Sequence, residues 1–257
     1  MESFLIKEFA AHLRYHDLPG KPPALVFLHG LGSASSSYYP SIVRHAALQR
    51  RRTLLVDSLG FGYSDRPREF DYTIESQAGL VAQLLRHLDL AGSYVIGHSM
   101  GGSIAIALAF ENPLLVSRLV LAEANLDPGP GFVSGPITRI PESEYVSRGH
   151  ATFLQQVRTL GFIDYAGTLQ AADPLAVHRS AVSLIAPRTP SFRQQLLATH
   201  ADRTFLFGDE NRRDPDVARL PQDKIRVAII ADSGHDMATD NPTGFANAIA
   251  DAVAVMR

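Results

Sequence analysis

Six short apolar runs, separated by helical stretches, constrain the fold of this chain more than any other sequence feature. The runs lie at residues 24–28, 53–56, 93–96, 118–121, 204–207 and 226–230. Continuous apolar runs of this length are typical of strands buried on both faces, as in a parallel sheet covered by helices. The alternation therefore predicts an α/β chain with a mostly parallel, doubly covered sheet.

The remaining periodic segments complete this prediction. Residues 4–9 and 12–16 alternate like an antiparallel pair at the edge of the sheet. Helical patterns cover 38–52, 73–88 and 99–111, and a last helix begins at Pro242 with Asn241 as its N-cap. The first of these ends in three consecutive arginines, which would complement the dipole at a helix C-terminus.

The alternation fails between residues 127 and 201. This segment carries three helical patches, near 142–160, 173–186 and 191–199. A structureless loop of that length is uncommon inside a compact domain. We therefore predict a core made of residues 1–126 and 202–257, interrupted by a helical insertion at 127–201.

Composition excludes several classes of function. The 257 residues carry a net charge of −2, with both signs interspersed, which argues against nucleic-acid or anionic-membrane partners. The absence of cysteine excludes disulfides, thiolate metal sites and a cysteine nucleophile.

The N-terminus does not resemble a signal peptide, and no apolar stretch is long enough for a membrane span, so a cytoplasmic protein is expected. No nucleotide or metal motif occurs, so no cofactor or metal is expected, and a monomer or homodimer remains open.

The segment Gly97-His98-Ser99-Met100-Gly101 fits the pattern G-x-S-x-G. It follows a predicted strand and opens a predicted buried helix, the context in which this pattern lifts a serine hydroxyl clear of a sheet. The flanking glycines permit the strained turn. Ser99 is therefore the candidate nucleophile.

A nucleophilic serine also needs a base and donors for an oxyanion. Three of the ten histidines lie near strand ends, namely His29, His98 and His235. His235 follows the carboxyl end of the last strand, and Ser99 also follows the carboxyl end of a strand. The two residues therefore lie at the same end of the sheet, and His235 is the candidate base. His98 packs within the turn or lines the pocket, and His29 braces the loop after its strand. The backbone N–H of Met100, at a helix N-terminus, and that of Leu31 are the candidate oxyanion donors.

Four motifs, in this order, resemble the α/β-hydrolase family. They are 29–32 (HGLG), 57–67 (DSLGFGYSDRP), 97–102 (GHSMGG) and 233–235 (SGH). The resemblance implies that the insertion is the cap that roofs the active site in many members. Relatives that dehalogenate alkanes or open epoxides carry aspartate at the nucleophile position, so Ser99 favours acyl transfer to water. Asp57 and Asp65, in the second motif, are interpreted as structural.

The acid of the triad departs from the common pattern. The family usually places it after the strand that follows the cap, where this chain has Asn211. Asp209 or Glu210 would serve if the loop were shifted. Glu123, which ends the strand after the nucleophile helix, is favoured because a minority of members, among them zearalenone-lactone hydrolases, resemble this arrangement. An acid at the end of an apolar strand is also costly to bury without a partner.

The expected substrate is a small apolar ester or lactone. Gly30, His98, Phe132 and Phe153 are the candidate pocket residues, since aromatic side chains of the insertion would favour an apolar group. A carbon–carbon hydrolase of β-diketone type would use the same triad. A ligand receptor built on a hydrolase scaffold, with little turnover, is the rival from another class.

Overall fold

An eight-stranded sheet lies at the centre of the computed structural model, which describes residues 1–254. The strands are β1 (Glu2–Ile6), β2 (Ala11–Leu18), β3 (Lys21–Leu28), β4 (Arg51–Asp57), β5 (Ser93–His98), β6 (Val116–Ala122), β7 (Asp202–Gly208) and β8 (Arg226–Ile230). Their order is β1-β2-β4-β3-β5-β6-β7-β8, with β3 to β8 parallel and β1 and β2 antiparallel at one edge. All six apolar runs lie in parallel strands, so the predicted fold class is confirmed.

Helices cover the sheet on both faces. They are α1 (Ser35–Tyr38), α2 (Pro40–Val43), α3 (Ile74–His87), α4 (Met100–Glu111), α5 (Ser134–Thr138), α6 (Glu142–Glu144), α7 (His150–Thr159), α8 (Ile163–Ala171), α9 (Pro174–Ile185), α10 (Phe192–Ala198), α11 (Asp216–Arg219), α12 (Met237–Asp240) and α13 (Pro242–Val253). A π-helical turn, Tyr145–Gly149, joins α6 to α7. Within the described chain, none of the helices is both long and apolar enough to cross a membrane.

Two apolar clusters hold these layers together, one on each face of the sheet. Val26 of β3 points into the larger cluster with side chains of α3 and α4, and the next residue, Phe27, points into the cluster shared with α2 and α13. Successive side chains of a strand point to opposite faces. A strand buried on both sides therefore needs apolar residues at consecutive positions, as β3 has.

The predicted helix over 38–52 is wrong beyond its first turns. The chain forms the short α1 and α2, and Arg51 already begins β4. Arg52 forms an ion pair with Asp17 of the neighbouring strand β2 at 2.7 Å, and the Arg51 guanidinium lies 5.0 Å from the ring centre of Tyr94. The basic cluster thus has partners on the sheet, which a helix C-terminus would not provide.

The segment between β6 and β7 is helical from α5 to α10. The three predicted patches contain α6, α7, α9 and α10, whereas α5 and α8 were not predicted. Asp173, which caps α9, donates its backbone N–H to the carbonyl of Gly60 at 2.8 Å, and the Ser180 hydroxyl donates to the carbonyl of Tyr72 at 3.0 Å. These contacts place helix α9 against the loop that leaves the carboxyl end of β4.

Candidate active site

Ser99 stands in the tight turn between β5 and α4. Its backbone has φ 51° and ψ −120°, a conformation that side-chain-bearing residues rarely adopt. Its N–H donates to the carbonyl of Ala122, at the end of the neighbouring strand, over 2.8 Å. A Cβ on Gly97 would lie 2.3 Å from the carbonyl oxygen of Gly101, so only glycine fits there. The surrounding backbone therefore fixes the strained turn. It leaves the serine half-buried at the end of the sheet where the parallel strands terminate.

Glu123 and His235 form a hydrogen-bonded pair at the same edge. Glu123 directly follows β6, His235 lies in the loop after β8, and Oε2 of the carboxylate is 2.7 Å from Nδ1 of the imidazole. The glutamate side chain is 10% exposed and the histidine side chain 48% exposed. Because a carboxylate can only accept, Nδ1 of His235 donates this hydrogen bond, and Nε2 is the ring nitrogen that remains to act as a base.

The environment of Glu123 favours its ionised form. The backbone N–H of Gly208 donates to Oε1 at 3.0 Å, and the Asn211 amide donates to Oε1 at 2.8 Å and to Oε2 at 2.9 Å. Burial alone would raise the pKa of Glu123, but the hydrogen bonds from His235, Asn211 and Gly208 together hold it below its ordinary value. A buried anion with this many donors can orient a histidine at neutral pH.

The two alternative acids lie on the same short turn and have other contacts. Asp209 pairs with Arg212 at 3.4 Å, and a carboxylate oxygen of Glu210 lies 2.6 Å from where a Cβ on Gly234 would be. In the described part of the chain, neither is hydrogen-bonded to the His235 ring. The structure therefore brings Glu123, the favoured candidate, to the histidine.

The Leu31 N–H, the first candidate oxyanion donor, belongs to the loop after β3. The carbonyl of Gly30 accepts hydrogen bonds from Nδ1 of His29 at 2.8 Å and from the N–H of Ser33 at 3.1 Å. In a trans peptide the N–H points opposite to the C=O, so these bonds also fix the direction of the Leu31 N–H. A Cβ on Gly30 would lie 3.5 Å from Cβ of Ser99, which places this peptide beside the serine.

The second candidate donor is the N–H of Met100. Met100 is the first residue of α4, and the first four N–H groups of a helix have no partner within it. Its N–H therefore remains available at the positive end of the helix dipole. Both candidate donors thus belong to peptides next to the Ser99 turn. Between residues 1 and 254, no hydrogen bond joins the Ser99 hydroxyl to His235, a contact that often tightens only when substrate binds.

His98 ties the end of β5 to the His235 loop. Its Nε2 donates to the backbone carbonyl of His235 over 2.8 Å, and the two rings lie 4.7 Å apart. The other face of the ring stacks on Tyr38 at 4.9 Å. Burial, and then the neighbouring His235, lower the pKa of His98 to about 3, so the ring is neutral. The pocket candidates His98 and Gly30 are neighbours of Ser99, since a Cβ on Gly30 would lie 3.1 Å from Nδ1 of His98 and 3.5 Å from Cβ of Ser99.

The two aromatic pocket candidates, Phe132 and Phe153, belong to the segment between β6 and β7. Phe132 is 80% exposed in the loop before α5, an exposure that does not favour a role in lining a pocket. Phe153 on α7 is partly buried and packs against the larger apolar cluster. Another aromatic residue of this segment, Tyr165 on α8, contacts the loop after β3, because its hydroxyl donates to the carbonyl of Leu31 at 3.0 Å.

Sequence reasoning missed the contacts of Tyr165 and Asn211. Tyr165 is one of several aromatic residues in the insertion, and no motif distinguishes it from the others. For Asn211 a signal did exist, since it occupies the usual position of the acid. Asp57 is buried and accepts hydrogen bonds from the N–H and hydroxyl of Ser36, as expected of a structural residue.

Comparisons with known proteins give the chain a family context. A family model described as the alpha/beta hydrolase fold matches residues 23–135. The 2-hydroxymuconate semialdehyde hydrolase of Pseudomonas putida is 32% identical over 216 residues, covering 82% of this chain and 71% of that enzyme. An uncharacterised Mycobacterium tuberculosis protein is 38% identical over 108 residues, and that match spans only 30% of its length.

Solved structures show the same fold at lower identity. An esterase from Exiguobacterium antarcticum superimposes with a TM-score of 0.80 at 19% identity, covering 97% of each chain. The enol-lactonase from Burkholderia xenovorans LB400 gives 0.79 at 20% identity, covering 97% of this chain and 98% of that one. At these identities the likeness concerns the fold.

Proposed function

Because the chain belongs to the α/β-hydrolase family, we propose that it is a serine hydrolase that cleaves an ester or lactone of an apolar small molecule. The observation that carries the proposal is the 2.7 Å contact between Glu123 and His235, at the sheet edge that carries Ser99. A strained serine, a histidine with a free Nε2 and a buried carboxylate are the three groups that acyl transfer requires.

In the first half of the reaction, Oγ of Ser99 attacks the substrate carbonyl. At the same time, Nε2 of His235 takes the proton of the Ser99 hydroxyl. The proton on Nδ1 stays on the ring and is hydrogen-bonded to Glu123. The negative charge of Glu123 stabilises the imidazolium. The tetrahedral oxyanion is held by the N–H groups of Leu31 and Met100. His235 then returns the proton to the leaving oxygen, which leaves an acyl group on Ser99.

In the second half, water replaces the leaving alcohol. Water can reach the His235 side chain, which is 48% exposed, and Nε2 removes a proton from this water as the water oxygen attacks the acyl-enzyme. The carbonyl re-forms, Ser99 regains its proton and the acid departs. A lactone follows the same steps, except that its hydroxyl stays tethered to the acyl chain.

We assign the insertion, 127–201, to a cap over this edge. The hydrogen bonds of Tyr165 to Leu31 and of Asp173 to Gly60 support the assignment, since both acceptors lie in loops beyond the carboxyl ends of strands. Leu169 of the same helix as Tyr165 lies 2.9 Å from where a Cβ on Gly32 would be, so apolar side chains approach the site from above. An apolar acyl group fits such surroundings.

Carbon–carbon bond hydrolysis is the second candidate. It is favoured by the Pseudomonas putida relative, whose name states that it is a semialdehyde hydrolase. The same serine, histidine and acid would act, with a carbanion as the leaving group. A substrate panel separates the two, because turnover of a vinylogous diketone without turnover of simple esters would overturn the ester proposal.

The decisive experiment uses a fluorophosphonate probe and p-nitrophenyl esters with short apolar acyl chains. We expect the probe to label Ser99 and the esters to be hydrolysed, and Ser99→Ala to lose both. A chain that hydrolyses these esters equally well after Ser99→Ala is not a serine hydrolase. An unmodified chain that neither binds the probe nor turns over esters, lactones or diketones would instead support the receptor alternative.

A further inference from the structure

We propose that Asn211 is a positioning residue for the proposed triad, and that its amide holds the Glu123 carboxylate in the rotation that presents Oε2 to His235. This inference rests on the proposed function, in which Glu123 orients the base. It gives a role to the residue at the usual acid position, where an amide cannot replace a carboxylate.

The contacts around the carboxylate support this role. Nδ2 of Asn211 is 2.8 Å from Oε1 and 2.9 Å from Oε2, so the amide is nearly equidistant from the two oxygens. The Gly208 N–H donates to Oε1 only, at 3.0 Å, and His235 contacts Oε2 only, at 2.7 Å. Each oxygen thus has two partners, and rotation of the carboxylate would break several of these bonds together.

The position also requires a neutral donor. A carboxylate at 211 would lie at hydrogen-bond distance from Glu123, and two carboxylates this close cannot both ionise freely. Among the other ionisable groups, His235 contacts Glu123, and Asp209, Glu210 and Arg212 lie on the turn of Asn211, where Asp209 pairs with Arg212. An amide at 211 adds donors to the carboxylate without adding a further negative charge.

The fold of the turn does not depend on the Asn211 amide. The turn is held by backbone bonds, from Glu210 N–H to the Ser233 carbonyl at 3.1 Å and from Asp214 N–H to the Asn211 carbonyl at 2.9 Å. The residue is exposed, and the amide contacts only the Glu123 side chain in the described structure. Removing the amide should therefore affect the reaction more than stability.

The first test is Asn211→Leu, with Asn247→Leu on the exposed face of α13 as the matched control. With p-nitrophenyl butyrate, we expect Asn211→Leu to lower kcat by about 10- to 100-fold, because a carboxylate that keeps only the hydrogen bonds from Gly208 and His235 is held less firmly and misplaces the base. KM should stay within about twofold, and the melting temperature within about 2 °C, of the unmodified chain. Asn247→Leu should leave all three unchanged.

The second test is Asn211→Asp, followed across pH. At low pH the two carboxyl groups share a proton, and the protonated oxygen at 211 donates to Glu123 as the amide did. Deprotonation replaces that bond with repulsion, so the ratio of kcat for Asn211→Asp to kcat for the unmodified chain should fall as pH rises from about 5 to 9. A purely structural residue would give a constant ratio.

The outcomes separate this inference from the proposed function. If Asn211→Leu keeps kcat within twofold, or the Asn211→Asp ratio does not change with pH, while Ser99→Ala and Glu123→Gln abolish turnover, Asn211 is not a positioning residue and the hydrolase proposal stands. If Ser99→Ala remains fully active, the proposed function itself fails.

Discussion

The hydroxyl of Tyr165, on helix α8 of the insertion, donates a hydrogen bond to the backbone carbonyl of Leu31 over 3.0 Å. The following residue, Gly32, has φ 74°, and a Cβ there would lie 2.7 Å from the Tyr165 hydroxyl. Burial raises the pKa of Tyr165 above its ordinary value, so the phenol remains a donor throughout the working pH range. The insertion therefore contacts the same loop that presents the candidate oxyanion donor.

Tyr165→Phe should weaken turnover more than substrate binding. Without this hydrogen bond the loop of Leu31 is less firmly held, and a donor that is displaced stabilises the transition state less. We expect kcat to fall about 10-fold with KM little changed, measured by steady-state ester hydrolysis. Tyr63→Phe, which removes the hydroxyl of a side chain that is 65% exposed, is the control. Indistinguishable kinetics for the two variants would contradict the prediction.

Replacing the acid should separate Glu123 from its two neighbours on the later strand. Glu123→Gln keeps the shape of the side chain but removes the charge that stabilises the imidazolium, so kcat should fall about 10³- to 10⁴-fold. Asp209→Asn and Glu210→Gln should each change kcat by less than about threefold, since neither is hydrogen-bonded to His235 in the described chain. The reverse ranking of the three variants would assign the acid to the turn after β7.

His98 should make the protein less stable as the pH falls below neutral. Its pKa is about 3 in the folded chain, lowered by burial and then by His235, and 6.5 is its ordinary value. Between these values the unfolded chain binds the extra proton, so the free energy of unfolding decreases as pH falls, by about 1 to 2 kcal/mol between pH 6.5 and 5.

His98→Gln removes this titration and can still donate to the His235 carbonyl. Urea unfolding at pH 7, 6 and 5 should therefore show a shallower loss of stability for His98→Gln than for the unmodified chain. His200→Gln, at an exposed histidine, should retain the full slope. If the free energy of unfolding falls equally with pH in the unmodified chain and in His98→Gln, His98 does not cause the loss of stability in acid.

Two glycine substitutions should have effects of opposite sign. Gly60 has φ 87°, and a Cβ there would lie 2.2 Å from Cβ of Ala176 on α9 and 2.8 Å from the Tyr72 ring. We expect Gly60→Ala to lower the free energy of unfolding by about 2 to 3 kcal/mol through strain and overpacking. Gly79, within α3, has open space, so Gly79→Ala should raise it by about 0.5 to 1 kcal/mol. Denaturant unfolding measures both, and equal effects would refute the steric argument.

The strands and the nucleophile turn could be predicted because local sequence dictates them. A strand covered on both faces needs consecutive apolar residues, and the pattern 97–101 has a chemical meaning only between a strand and a helix. The helix prediction at 38–52 failed because the partners of Arg51 and Arg52 lie on other strands. Such partners are distant in the sequence and leave no periodic signal.

The candidate site divides in the same way. Ser99 and His235 lie at strand ends, where the order of elements alone brings them to one edge. Glu123 could be favoured because an acid after an apolar strand is anomalous, but only its 2.7 Å distance from His235 distinguishes it from Asp209 and Glu210. The role of Asn211 depends on a hydrogen bond across 88 positions of sequence, which no single-sequence pattern encodes.

Because Glu123 lies at the end of β6, the proposed nucleophile and the proposed acid both precede the insertion in the sequence. The serine, the acid and both candidate oxyanion donors precede residue 127, and His235 is the one member of the proposed triad that follows residue 201. Helices α5 to α10 could thus be shortened or exchanged for those of a relative without changing the chain path that joins nucleophile to acid. Such an exchange would leave the contact between Glu123 and His235 in place, while it would remove the hydrogen bond from Tyr165 to Leu31.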